Sequence, residues 1–492
     1  MLILIGFDAT SQSLLDELCE SGRMPRFAAL RREGTKVPLT TPASLFPAGA
    51  FTTLWSGMPI GDHGLHYPFM WHAATQQVLS FDHFDQPPGL WERLSENGGR
   101  ALVVDPYEAP PPVNVKGLYV SGWQFTNRVV LRSWERPPGA LADWKRRFGP
   151  GPRAEEVFGE PDQRRLLELA RVLVPASARA ADLVAGVIGS VRPDVLVVSF
   201  PSMHVAGHQL WNPAVVLQDP RPDVVRELEQ AFRSVYFETD AALGRILDAA
   251  PADADVVVFS ILGMAADTSR TDMLGSMLGA VLDGRRLSDA RPRDAWGFRA
   301  NVPASWRARV ADLLPDRVAT ALAARLELRG VDWKRTRAFV VPSDFSGFIR
   351  FNVRGRERDG IVEPTDVAAL GDEIRSGLET FVLPNGEPAV TAVVRTAEVM
   401  SGEGDDLLPD LVVKWSPRPT VRAERLSSPR FGTVQRHGAG TGRSGNHTDD
   451  AWALVVPRSG RIAVGTTHDV IDIAATALAR FGVEAAGRTL LE

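Results

Sequence analysis

The chain has 492 residues, 44% of them hydrophobic and 23% charged, which are the proportions of a globular protein able to bury a large core. A formal charge of -5 leaves no electrostatic footprint for nucleic acid, and basic runs such as DWKRRFGPGPR are broken by Gly and Pro, which predicts solvated loops. The single cysteine, Cys19, excludes an intrachain disulfide, and the helical pattern SLLDELCESG around it predicts a small packed side chain.

The first segment, LILIGFD, reads as a buried strand ending at Asp8, and the helical patterns SQSLLDELCESG and MPRFAALRREG follow. An irregular stretch, TTPASLFPAGAFTTLWSGMPIGDHGL, precedes the short apolar runs ALVVD and GLYVSGW. The long amphipathic stretch QRRLLELARVLVPASARAADLVAGVIGSV leads into DVLVVSF, and DVVRELEQAFRSVYFETDAALGRILDAA feeds DVVVFS. Runs of Val, Ile and Leu without polar alternation, separated by helical patterns, are what a parallel sheet covered on both faces requires. The fold class is therefore α/β, with a mostly parallel central sheet and helices on both faces, and ligands are expected beyond the carboxyl ends of its strands. FNVRGRERDGIV and GTGRSGNHTDDAWALVVPRSG read as polar loops. The expected organisation is one domain over residues 1–492, with an insertion over 67–190 that carries some core strands and a helical insertion over 265–335.

No apolar stretch is read as reaching the roughly 20 residues of a membrane span, and MLILIGFD is a strand rather than a secretory leader. The expectation is a cytoplasmic protein with no membrane or nucleic-acid partner and a small-molecule substrate. Oligomeric state is not legible.

The ends of the strands carry the chemistry. Asp8 closes the first. DVLVVSF runs into PSMHVAGH, which puts two of the nine histidines, His204 and His208, four residues apart just past a strand end. DVVVFS runs into ILGM.

Read together, GFDAT, MPRFAALRREGT, TTPASLFPA, SGMPIGDHGL, GHQLW, VDWKRTRAF, GFIRFNVRGRERDGIV, LPDLVVKW and GVEAAGRTLLE occur in an order that resembles the alkaline phosphatase superfamily, in its type I phosphodiesterase and nucleotide pyrophosphatase branch. The likeness runs nearly end to end and implies an alkaline-phosphatase-like sheet with inserted lid or cap segments. It also implies a phosphodiesterase-like hydrolase with two metals, usually zinc, and a Thr or Ser nucleophile between them. Asp8 matches the family aspartate that binds the second metal. Leu45 stands where the nucleophilic Thr belongs. Ile261 and Leu262 occupy the positions of the Asp and His that complete the second site, within a stretch whose Ser260, Gly263 and Met264 still match. Hydrocarbon side chains ligate no cation. The first site fares differently: His208 is kept, His204 replaces an Asp, and His447 matches the late histidine.

Three imidazoles plus an open position form a sensible mononuclear site for one divalent transition metal, zinc first and iron as the alternative. Asp8, without its metal, is expected to orient a ligand histidine, to act as a general base, or merely to cap the following helix. Ser44, Leu45, Ile261 and Leu262 are expected to line the pocket and His63, which matches a family histidine, to have a structural or pocket-edge role, with His66 and His437 near the same loops; His72, His83 and His468 receive no functional role. GAGTGRSGN lacks the features of a phosphate-cradling loop and reads as a mobile segment that delivers His447. Trp55, Trp71, Trp91, Trp123 and Trp211 fall near loops around the site, although Trp in the core is the commoner case.

Two classes of function follow. One is a divergent metalloenzyme with three histidines, one metal and no covalent nucleophile, performing hydrolysis or, with a redox metal, other metal-assisted chemistry. The other is a catalytically inactive scaffold kept for binding. A conventional phosphodiesterase is a third reading and needs Ser44 to replace the missing Thr.

Overall fold

The computed structural model describes residues 1–284, 328, 331–436, 438–459, 461–462 and 467–491. Its central sheet has nine described strands, in the spatial order His468–Asp469, Thr35–Thr40, Ala451–Val456, Asp255–Ser260, Leu2–Gly6, Val195–Ser199, Ala101–Val104, Gly117–Ser121 and Trp134–Arg136. The five strands from Asp255–Ser260 to Gly117–Ser121 run parallel, while Ala451–Val456 and the edge strand Trp134–Arg136 run against their neighbours. This is the α/β arrangement, mostly parallel, that the apolar runs require.

Alternation along each strand sorts the side chains into two cores. Ile3, Ile5, Leu196 and Val198 face one side, packed under the helices Gln163–Leu173, Ala176–Val191 and Pro222–Ala249. Leu2, Leu4, Val195 and Val197 face the other, under Gly49–Ser56, Leu90–Glu96 and Ile471–Ala479. Burying a side chain of this size contributes about 1.5–3 kcal/mol, so a strand buried on both faces holds its place firmly. The strand ends are thereby fixed as mounting points for the site.

The stretch 67–190 contributes the hairpin Phe69–His72/Gln77–Ser80, two central strands, an edge strand and the core helix Ala176–Val191. Across the 265–335 stretch, the described helix Thr271–Asp283 packs with Val367–Leu378 on an antiparallel sheet of Ala338–Val341, Gly347–Phe351, Leu411–Trp415 and Val390–Arg395. Residues 285–327 of that stretch lie outside the described residues. FNVRGRERDGIV, read as a loop, shares only Phe351 with the buried strand Gly347–Phe351, and its residues 352–362 are turns and isolated bridges. In that strand Arg350 is neutralised in the interior by Glu357 at 2.9 Å.

One described helical run, Gln163–Val191, is long and apolar enough by composition to cross a bilayer, contrary to the expectation that none is. Half of its apolar window is buried inside the protein, where it packs on Pro222–Ala249.

Candidate metal centre

The helix Pro201–Leu210 begins directly after the strand Val195–Ser199, with Pro201 supplying the fixed backbone that favours a first turn. His204 and His208, four residues apart, share one face, and every residue of the helix is buried. His447 comes from the short strand Gly445–Thr448, which pairs antiparallel with Gly263–Ala266, Met264 opposite His447. Two glycines let the strand approach the helix. A Cβ on Gly445 would meet the Gly207 carbonyl oxygen at 2.2 Å, and a Cβ on Gly207 would meet Met264 at 2.8 Å.

The result is a closed triangle of imidazoles. Ring centroids are 4.8 Å apart for His204 and His208, 4.7 Å for His204 and His447, and 4.6 Å for His208 and His447. One ligand atom from each lies within 4.8 Å of the others. His208 Nδ1 donates to the Gly445 carbonyl at 2.9 Å, which fixes its tautomer and leaves Nε2 with a free lone pair. His204 Nε2 stands 3.0 Å from His208 Nε2. The Asp8 carboxyl lies on the other side of His204, with Oδ1 3.3 Å from Nδ1 but off the line of a hydrogen bond. Asp8 Oδ2, His204 Nδ1 and His447 Nδ1 are buried without a hydrogen-bond partner.

Burial sets the electrostatics. It pushes His204 down to about 3 and holds His208 and His447 well below the usual imidazole range, so all three rings are neutral at pH 7. Neutral imidazole is the form that ligates a metal. The same burial pushes the Asp8 carboxyl well above the ordinary aspartate value.

The sequence pattern of the type I phosphodiesterase / nucleotide pyrophosphatase family matches residues 2–439. The chain belongs to that family. His204 and His208 fall inside the matched span and His447 just beyond it. The fold is similar to that of phosphonoacetate hydrolase from Sinorhizobium meliloti 1021 in complex with phosphonoacetate, at 14% identity and a TM-score of 0.50 over 98% of this chain and 95% of that one. It is also similar to murine ectonucleotide pyrophosphatase / phosphodiesterase 5, at 11% identity and a TM-score of 0.48 over 100% of both chains. No curated protein matches the sequence.

In this family member the other expected site positions divide into those near the triangle and those committed elsewhere. Asp8 follows the first strand at a bend where Ala9 takes a left-handed φ of 52°. It does not cap the following helix; Ser11 does, accepting from Leu14 N at 3.4 Å. Ile261 and Leu262 are buried in the apolar cluster that also holds Phe51 and Phe259. Asp8, Ile261, Phe51 and Trp55 border a void of about 10 Å³, no more than a single water needs. Leu45 closes the turn Pro42–Ser44 and packs with Phe46 and Phe348. That turn lies against the His447 strand, so Ser44, half-buried, is near the site. Among the described residues no hydrogen bond joins it to Asp8 or to the three histidines.

Of the two roles expected of His63, its bonds fit the structural one. Its Nε2 donates to Thr53 at 3.0 Å and its Nδ1 accepts from Leu65 N at 3.0 Å, so both nitrogens are spent on holding their own loop. His66 donates from Nδ1 to the Gly64 carbonyl at 3.1 Å between the rings of Phe46 and Phe348. His437 lies outside the described residues. Trp55, Trp71, Trp91 and Trp123 are core residues, each at most 4% exposed, and Trp211 packs on Phe232.

Several neighbours of the site carry no signal in the sequence. Tyr107 lies 4.4 Å from His204 between ring centroids, and Phe51 lies 5.9 Å away. The GAGTGRSGN stretch is not the mobile segment its glycines suggest, because Arg443, Ser444, Gly445 and Asn446 are all buried and bonded. Ser444 N donates to the His208 carbonyl at 2.9 Å, and Asn446 Nδ2 donates to Asp267 at 3.1 Å and to the Asp344 carbonyl at 3.0 Å. Arg443 pairs with Glu156, 287 residues away in sequence, a distance at which no local pattern announces a contact.

Proposed function

We propose that this phosphodiesterase-family protein is a metal-dependent hydrolase acting on a small molecule with one divalent transition metal, zinc before iron, held by His204, His208 and His447. The observation that carries the reading is the buried triangle of neutral imidazoles, with ligand atoms within 4.8 Å of one another. Two nitrogens bound tetrahedrally to zinc at 2.0–2.1 Å are about 3.3 Å apart, close to the 3.0 Å between Nε2 of His204 and of His208.

The unpartnered nitrogens support the same assignment. Neutral His204 has one ring proton. Were Nε2 to hold an ion, the proton would reside on Nδ1, 3.3 Å from Asp8 Oδ1. Asp8 would then be placed to orient a ligand histidine, as the Gly445 carbonyl orients His208. The ion supplies Lewis-acid polarisation of an ester, phosphoester or related bond. Tyr107 and Phe51 pack against the His204 ring on one flank of the triangle.

A second ion next to Asp8 would meet Ile261 and Leu262, which have no donor atoms, and Leu45 has no nucleophilic atom. The reading therefore omits both the second metal and a covalent intermediate on a Thr or Ser. Metal analysis of protein expressed with zinc and iron supplied tests it. The expected result is one equivalent, lost in His204→Ala and in His208→Ala; no metal in the wild type, or two equivalents, overturns it.

A further inference from the structure

Arg443 is a buried charge that the proposed chemistry does not use. It is 7% exposed and lies four residues before His447, on the segment that carries the third histidine. Its Nε donates to Glu156 Oε2 at 2.9 Å, and its Nη1 donates to Asp344 Oδ2. These two carboxylates belong to separate parts of the fold. Glu156 is on the 149–162 loop, which is tied to the metal helix where Val157 N donates to Gln209 at 3.2 Å. The same loop grips the 438–443 stretch where Gly159 N donates to the Thr441 carbonyl at 2.9 Å. Asp344 is in the turn between Ala338–Val341 and Gly347–Phe351 of the second sheet, and its carbonyl accepts from Asn446 at 3.0 Å.

We infer that Arg443 is a positioning residue for the metal centre: a buried fork that locks the His447 segment onto the 149–162 loop and onto the second sheet, so that His447 reaches the helix bearing His204 and His208. The inference rests on the three-histidine metal reading. A planar guanidinium suits the role, because it binds two carboxylates in fixed directions, which an ammonium does not. The arrangement also joins the second sheet to the centre. By thermodynamic reciprocity, whatever tightens the His447 segment on the metal tightens the Asp344 turn as well.

The charge of Arg443 makes the test discriminating. A buried cation beside three ligands repels a dication, so removing it would strengthen metal binding if Arg443 acted only through its field. A lost lock weakens binding instead. Zinc affinity of the full chain is measured by competition with a chromogenic chelator, with thermal unfolding of the metal-free protein beside it. Arg443→Gln is expected to bind zinc at least tenfold more weakly than wild type, in the range typical when groups that orient ligands are removed. Arg443→Lys, which keeps the charge and loses the fork, is expected to fall between the two. Zinc is also expected to slow amide exchange at 342–346 and 438–447 in wild type, and to do so less in Arg443→Gln. If Arg443→Gln binds zinc as tightly as wild type or more tightly, the lock is refuted while the metal site stands. If Arg443→Gln does not fold, Arg443→Lys decides, because an unchanged affinity there refutes the lock. If wild type binds no zinc, the metal reading fails and takes this inference with it.

Discussion

The close approach of Gly445 to Gly207 gives the account a sharp mechanical consequence. In Gly445→Ala the new methyl would stand 2.2 Å from the Gly207 carbonyl oxygen, against roughly 3.3 Å for a relaxed contact of carbon with oxygen. Backbone does not swing aside as a flexible side chain does, so the strand must retreat by about 1 Å. That retreat stretches two bonds now at 2.9 Å, Ser444 N to the His208 carbonyl and His208 Nδ1 to the Gly445 carbonyl, past useful length. Two lost hydrogen bonds at about 1 kcal/mol each and overpacking of about 1–3 kcal/mol give a loss on the order of 3–5 kcal/mol. His447 moves with the strand, so zinc affinity falls too. Gly207→Ala is the control. Its methyl would meet the Cε and Cγ of Met264 at 2.8 Å, atoms of a pliable side chain, and the helix gains about 1 kcal/mol of propensity, so stability changes by about 1 kcal/mol or less. Urea unfolding of the metal-free proteins and zinc titration of each provide the comparison. A Gly445→Ala protein with wild-type midpoint and wild-type affinity would refute the reasoning.

Asp8→Ala is expected to keep one metal per chain but to bind it about tenfold more weakly, since His204 loses the carboxylate at 3.3 Å; unchanged affinity removes Asp8 from the centre. Ser44→Ala is expected to leave intact any turnover of a chromogenic phosphodiester, and its disappearance would restore a hydroxyl nucleophile. His66 gives a pH prediction. Burial pushes it down to about 4, so on acidification the unfolded chain takes up this proton from about pH 6.5 while the folded chain stays neutral. Its contribution is therefore fully present above pH 6.5 and is lost as the pH falls towards 4. Replacing it by Gln should reduce the stability lost between pH 7 and pH 5 by about 2 kcal/mol, as measured by urea unfolding at both pH values; identical pH dependence in the two proteins would contradict the assignment.

The central sheet was legible because its strands are uninterrupted apolar runs, a pattern that only burial on both faces explains. His204 and His208 were legible for a related reason: helical spacing at a strand end places two donors on one face with no tertiary information needed. His447 required the family resemblance, since its approach depends on a strand pairing with Gly263–Ala266 and on the absence of a side chain at Gly445. The second sheet was harder to read, because strands such as Gly347–Phe351 bury an arginine whose partner is supplied by the fold. His63 was legible only as a choice between a structural and a pocket-edge role, because the bonds that decide it are made by the fold. Thr53 and Leu65 occupy both of its nitrogens, which favours the structural role. The glycine-rich segment before His447 misled for the same reason, because flexibility inferred from composition is overruled by a buried Arg443 with two carboxylate partners.

The most direct measurement is anomalous X-ray scattering from crystals of the protein, collected at the absorption edges of zinc and iron. The account predicts a single peak within bonding distance of a ring nitrogen of His204, His208 and His447, and none between Asp8 and Ile261. A peak beside Asp8, or no peak in the triangle after soaking in either metal, would contradict it.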